Sequence, residues 1–207
     1  MAEIVHLFIF DSLADWEHGY AVAGICDPEN QREPGRYAVR TVSPGGKTIT
    51  STGGIRMEAD MALADVDPAT SAMLILAGGA AWDQGKHTDA VQLAARFLEQ
   101  GKPVAAICGA TAALARGGLL DTRRHTSNAL EYIVHSGYKG ASLYQEEAVV
   151  DDGNVITASS MAALEFARAI FQRLDLYPPA VLDAWYGLFS TRRPEYFHAL
   201  VAASHGA

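Results

Sequence analysis

Apolar and polar positions along this chain alternate with two different periods, and the switches between them mark out strands and helices. Residues 3–10, EIVHLFIF, make an apolar run of strand length that stops at Asp11 and Ser12; Trp16, Tyr20, Ala23 and Ile25 then recur at helical spacing. Residues 37–42 alternate and run into Pro44-Gly45-Gly46, and residues 48–51 and 55–57 frame Gly53-Gly54, which predicts a small hairpin. The run AMLILA at residues 72–77 is a buried strand stopped by Gly78-Gly79. Residues 89–100 then place Val91, Leu93, Ala94, Phe97 and Leu98 on one helical face. Residues 103–107 form another buried strand and 110–115 another helix. Residues 148–150 and 154–157 flank the turn signal Asp151-Asp152-Gly153, ahead of a helix over 161–174.

Strands that are apolar throughout, alternating with amphipathic helices, predict an α/β fold with a mainly parallel sheet covered by helices on both faces. Ligands of such sheets bind at the carboxyl ends of the strands. After Pro178-Pro179 the tail carries Trp185, Tyr186, Leu188, Phe189, Tyr196, Phe197 and Leu200, enough for one or two further helices packed on the body or on a partner subunit. No repeat or low-complexity tract interrupts the 207 residues, 49% of them hydrophobic, so one domain over 1–207 with a C-terminal helical extension over 175–207 is expected.

Charge narrows the partners. The chain has 24 acidic and 16 basic residues, a formal charge of −8, and its basic clusters are only Arg123-Arg124 and Arg192-Arg193. A polyanion would be repelled, so no nucleic-acid partner is expected. No apolar stretch approaches the ~20 residues a membrane helix needs, and the N-terminal run reads as a strand rather than a signal peptide. Two cysteines, Cys26 and Cys108, make no disulfide framework, which fits a reducing cytoplasm and leaves a free thiol.

Cys108 stands where a strand ends and a helix begins, with Ala106, Gly109 and Ala110 around it. Small neighbours let the chain turn sharply enough to hold up a nucleophile, and the N–H groups and dipole of the next helix would favour the thiolate. The alternative is a small apolar residue that merely ends a buried strand. Cys26, before Asp27-Pro28, has no such setting.

Taken together, AICGATAALARGGLLD, LILAGGAAW, FDSLADWE and DDGNVITASS resemble the PfpI family, which includes intracellular-protease-like proteins and the Parkinson-disease deglycase, within the class I glutamine amidotransferase-like superfamily. The resemblance covers about residues 4–174 and implies a flavodoxin-like three-layer sandwich with Cys108 as the elbow nucleophile. The acid this family places after the first strand matches Glu17, with Asp15 as the runner-up; by themselves both read as acids favoured at a helix start. Gly78 and Gly79 match its oxyanion loop, assisted by the N–H of Gly109. Ser127 and Asn128 fall where they could donate hydrogen bonds into the pocket, and Trp82 reads equally as pocket or core.

One position departs from the pattern. Many relatives carry a histidine base where this chain has Asn128, and the candidate replacement is His125. Without such a base, amide hydrolysis is disfavoured, whereas addition of a thiol to an aldehyde or reversible thiol oxidation stays feasible. The function this resemblance implies is therefore a cysteine-dependent hydrolase or lyase of the PfpI type acting on a small carbonyl or related electrophile, glyoxalase- or deglycase-like, in stress protection. The alternatives are a non-enzymatic redox-sensing or chaperone-like protein working through Cys108 oxidation, and a glutamine amidotransferase-like module. The other histidines show no ligand spacing, so neither a metal nor a cofactor is expected; a homodimer is.

Overall fold

The unbroken apolar runs become adjacent parallel strands. In the computed structural model, residues 2–204 are described; Met1 and residues 205–207, His205 among them, lie outside the described residues. Strands β1 (Glu3–Phe8), β2 (Tyr37–Ser43), β5 (Met61–Ala62), β6 (Ser71–Leu76), β7 (Val104–Ile107), β8 (Val149–Asp151) and β9 (Val155–Ala158) form one sheet in the order β5-β2-β1-β6-β7-β9-β8. All pairings are parallel except β8 with β9. The central strands β6, β7 and β9 are buried on both faces, which is why their sequences are apolar without alternation. The arrangement is flavodoxin-like, as expected.

Helices α1 (Asp15–Cys26) and α5 (Ala163–Arg173) pack together on one face; α2 (Thr88–Glu99) and α3 (Gly109–Arg116) cover the other. The tail forms two helices, α6 (Pro179–Thr191) on α5 and α7 (Pro194–Ser204) on α6. Beside the sheet, β3 (Ile49–Thr50) and β4 (Arg56–Met57) form the expected hairpin. The first strand is shorter than its apolar run: its register against β2 and β6 ends at Phe8, and Ile9 and Phe10 continue as buried coil. Two elements left no periodic trace, β5 with two residues and α4 (Leu130–Val134) with five, each too short to express a period.

No helix among the described residues is long and apolar enough to cross a membrane.

Candidate active site

Cys108 follows β7 directly and caps the N-terminus of α3 at φ 58°, ψ −128°, a conformation that L-residues rarely adopt. The elbow is tied down on every side. Its own N–H donates to Ala158 O at 3.0 Å, while the N–H and Oγ1 of Thr111 donate to its carbonyl at 3.0 and 2.6 Å. Ser127 sits behind this bond, its Oγ 2.6 Å from Thr111 Oγ1. Ser127 is thus a support for the turn, and its hydrogen bond goes to Thr111 rather than to the sulfur.

The segment FDSLADWE divides its acids among different tasks. Asp11 Oδ1 accepts from Thr50 N at 2.8 Å and Asp15 Oδ2 from Gly53 N at 2.7 Å, so both anchor the β3–β4 hairpin to the start of α1. Hydrogen bonds, first of all from Ser51, hold the Asp15 carboxyl below its usual range. Asp15 is therefore committed to the hairpin and not to the sulfur. Glu17, on the first turn of α1, is 1% exposed. Its Oε2 accepts the Gly78 N–H at 2.6 Å, and the carboxyl hydrogen-bonds the Cys108 side chain.

The glycine pair after β6 permits this meeting. A Cβ on Gly78 would lie 2.5 Å from Glu17 Oε2 and 2.7 Å from Cys108 Cβ, so a side chain there would wedge apart the two groups. Its amide is spent on Glu17 and is not an oxyanion donor. Gly79, at φ 156°, passes so close to Ser12 and Phe10 that only glycine fits. Ala14 N donates to Gly78 O at 3.0 Å, stitching this loop to the start of α1. The Gly109 N–H hydrogen-bonds the sulfur itself.

Asn128 closes the other side. Its Oδ1 accepts the Ser160 N–H at 2.9 Å; because only the carboxamide oxygen can accept, the amide must turn its NH₂ toward Cys108, where Nδ2 is 3.4 Å from Sγ. His125 does not come to the cysteine. The ring is fully buried, with Nδ1 2.8 Å from Arg123 O and Nε2 3.1 Å from the Tyr138 hydroxyl, so neither nitrogen is available as the replacement base. Trp82 is core: fully buried, it donates from Nε1 to Ala77 O at 2.9 Å and packs against Phe8, Phe10 and His87.

The electrostatics reverse one expectation. Burial pushes the Cys108 thiol up to about 11, assisted by the neighbouring Glu17 carboxylate and opposed by the Asn128 and Gly109 donors. Desolvation outweighs the helix N-terminus that was expected to favour the thiolate. Burial also raises Glu17, against the Gly78 hydrogen bond. Both groups hold their protons more tightly than in water.

Residues missed in the sequence frame the same region. Tyr132 on α4 donates to Asp83 Oδ1 and lies within the electrostatic reach of Cys108. Arg116 at the end of α3 donates to Trp82 O at 2.6 Å. Thr111 was visible only as one small residue in an alanine-rich helix. Among the described residues no group of three or more His, Cys, Asp or Glu side chains is placed to hold a metal ion.

This elbow, with an acid from the first turn of α1 beside it, matches known proteins. The sequence matches the DJ-1/PfpI family over residues 3–173. The chain belongs to that family. It is 36% identical over 200 residues to the uncharacterized protease YoaZ of Bacillus subtilis, covering 95% of each chain. It is 33% identical over 112 residues, 53% of this chain and 66% of the relative, to the deglycase TK1284 of Thermococcus kodakarensis. Among solved structures, the thiJ/pfpI family protein of Bacillus anthracis superposes with a TM-score of 0.92 at 37% identity, covering 98% and 97% of the two chains. These DJ-1/PfpI relatives carry protease and deglycase names, which supports a family-level enzyme or stress role without specifying one activity.

Proposed function

We propose that this protein is a cysteine-dependent hydrolase or lyase that acts on a small carbonyl compound or related electrophile, with 2-oxoaldehydes the class to try first. The observation that carries the reading is the hydrogen bond between the buried Glu17 carboxyl and the thiol of Cys108 on its strained elbow. A thiol pushed up to about 11 is protonated at neutral pH, so it attacks only if its proton leaves during the attack. Glu17, whose carboxyl burial also raises, is the acceptor within reach.

As Sγ bonds to the carbonyl carbon, the S–H proton passes to the Glu17 carboxylate and the carbonyl π pair moves onto oxygen. The Gly79 N–H supports the charge on that oxygen, joined by the Gly109 N–H, which the sulfur releases as its electron pair is drawn into the new S–C bond. Glu17 then returns the proton to the oxygen, giving a neutral hemithioacetal. One carboxyl thus serves as base and then acid, and no histidine is required. Relatives named deglycases agree with carbonyl chemistry, whereas the asparagine at 128 disfavours a glutaminase. A protonated resting thiol also disfavours redox sensing, because peroxide reacts with the thiolate.

The proposal extends to a homodimer working in the cytoplasm without a cofactor. Trp16, Phe189 and Phe197, each more than 40% exposed, offer apolar surface for a second copy; light scattering of the purified protein would show two chains or one. The activity is tested by following consumption of a 2-oxoaldehyde. Saturable turnover, lost in Cys108→Ser, is expected; stoichiometric peroxide-dependent modification of Cys108 without turnover would replace the enzyme with the sensor.

A further inference from the structure

Asn128, the neighbour of the candidate nucleophile, also lines a cavity of about 370 Å³ that does not include Cys108. Asn128 belongs to both: its Nδ2 faces the sulfur while its side chain lines the cavity. Glu146, Glu147 and Glu165 line it as well, and no lysine or arginine does. Arg168, one turn along α5 from Glu165, is ion-paired with Asp183 and lies over the Tyr186 ring. The Glu165 carboxylate accepts one hydrogen bond, from the Tyr186 hydroxyl at 2.9 Å.

Acidic residues grouped on the surface of a chain with charge −8 would by themselves signify nothing. The independent observation is Ser159. It is 8% exposed, it lines this cavity, and its Oγ has no hydrogen-bond partner. A buried hydroxyl without a partner costs free energy unless something entering the cavity completes it. Met161, 88% exposed, adds an apolar rim.

We propose that this cavity receives the non-reacting end of the substrate, and that the substrate is a carbonyl compound bearing an ammonium group on a short apolar stem. The inference rests on Cys108 being the nucleophile. An ammonium is a compact charge with three donors in different directions, which suits a hydroxyl oxygen and carboxylates set around a rim; a planar guanidinium would want a coplanar carboxylate pair. The stem passes Met161 and Asn128, and the carbonyl carbon meets the sulfur. Glu146 and Glu147 supply the attraction, and Ser159 supplies the buried acceptor.

The test uses charge-matched thiol reagents on the full chain in a Cys26→Ser background. Rates of Cys108 modification by the cationic aminoethyl methanethiosulfonate and the neutral methyl methanethiosulfonate are each divided by the rate with a free thiol in solution. The corrected ratio of cation to neutral is expected to be about tenfold. Glu146→Gln/Glu147→Gln should bring it close to one, and Ser159→Ala should lower it. Glu58→Gln/Asp65→Asn removes the same charge at exposed positions outside this cavity and should leave it unchanged. A ratio near one in the parent, or an equal fall in both double variants, would overturn the subsite while leaving the nucleophile standing. Failure of both reagents to modify Cys108 would remove the nucleophile, and the subsite with it.

Discussion

On one side of Cys108 stands a carboxyl that can exchange a proton, Glu17; on the other stands a carboxamide that cannot, Asn128. The Glu17 side is assembled from the first turn of α1 and the Gly78 loop, and its carboxyl is almost fully enclosed. The Asn128 side is assembled from a loop locked by the Ser160 N–H, which fixes which end of the amide faces the sulfur. One side is a titrating group held in a poor solvent; the other is a fixed dipole. Chemistry at such a site has one proton to move and one carboxyl to move it, which favours carbonyl addition over amide cleavage, where a leaving nitrogen demands its own acid.

Glu17→Gln is the sharpest way to break this comparison, since it turns the proton-exchanging side into a second fixed dipole. Turnover should fall about 10²- to 10⁴-fold, the usual contribution of a positioned acid-base group. The thiol should shift in the opposite sense to the activity: without the Glu17 charge, one of the influences holding it up is gone, and alkylation by iodoacetamide should become half-maximal at lower pH than in the parent. A variant more readily alkylated yet catalytically weak would separate thiol ionisation from proton transfer. If Glu17→Gln kept full turnover, the general-base role would be wrong.

Gly78→Ala attacks the distance between the two groups rather than either one. The added methyl would fall against Glu17 Oε2 and Cys108 Cβ. Overpacking of this kind costs about 1–3 kcal/mol, read as a lower midpoint in urea, and activity should fall with it. Ala→Gly changes elsewhere in the sheet would not reproduce that pairing of effects. Full activity in Gly78→Ala would mean that the contact between Glu17 and Cys108 is dispensable.

Asn128→Ala leaves the acid intact and removes the dipole. One hydrogen bond to a developing charge is worth about 1.5–3 kcal/mol at most and about 1 kcal/mol when neutral, so a loss of roughly tenfold in rate is expected. Since the Asn128 bond holds the thiol down, the thiol should rise further. A loss as large as that of Glu17→Gln would mean that the two sides are not unequal after all.

The difference between the two sides was only half legible in the sequence. Apolar runs without alternation located β6 and β7, and hence the glycines and the cysteine at their ends, because burial on both faces leaves a local pattern. The acid at 17 came from resemblance, since nothing local separates it from Asp15 at a helix start. Their separation in space comes from the β3–β4 hairpin, which captures Asp15 through Gly53. His125 could not be dismissed in the sequence because the bonds that occupy it come from Arg123 and Tyr138, the second of which is positioned only by the folded loop. The direction of the thiol shift is hidden from the sequence for the same reason: a helix start is visible there, whereas the desolvation that outweighs it depends on everything packed around the elbow.

The smallest expected effect is thermodynamic. A thiol held at about 11 in the folded chain, against an ordinary value of 9.0, binds its proton more tightly folded than unfolded. Stability contributed by that proton is complete below the unfolded value and is lost as pH rises between the two, because the unfolded chain ionises first. The midpoint of thermal unfolding should therefore fall as pH is raised from about 9 toward 11. Tyr177, raised by burial to about 12, pulls in the same direction at the upper end, so the slope of the parent alone does not isolate the cysteine. Cys108→Ser does: its curve should be flatter across this window, and the difference between the two curves should be smaller in a Glu17→Gln background, where one cause of the high thiol value has been removed. Parallel curves for parent and Cys108→Ser would mean that the thiol is not held up, and that the Glu17 side is less enclosed than its 1% exposure implies.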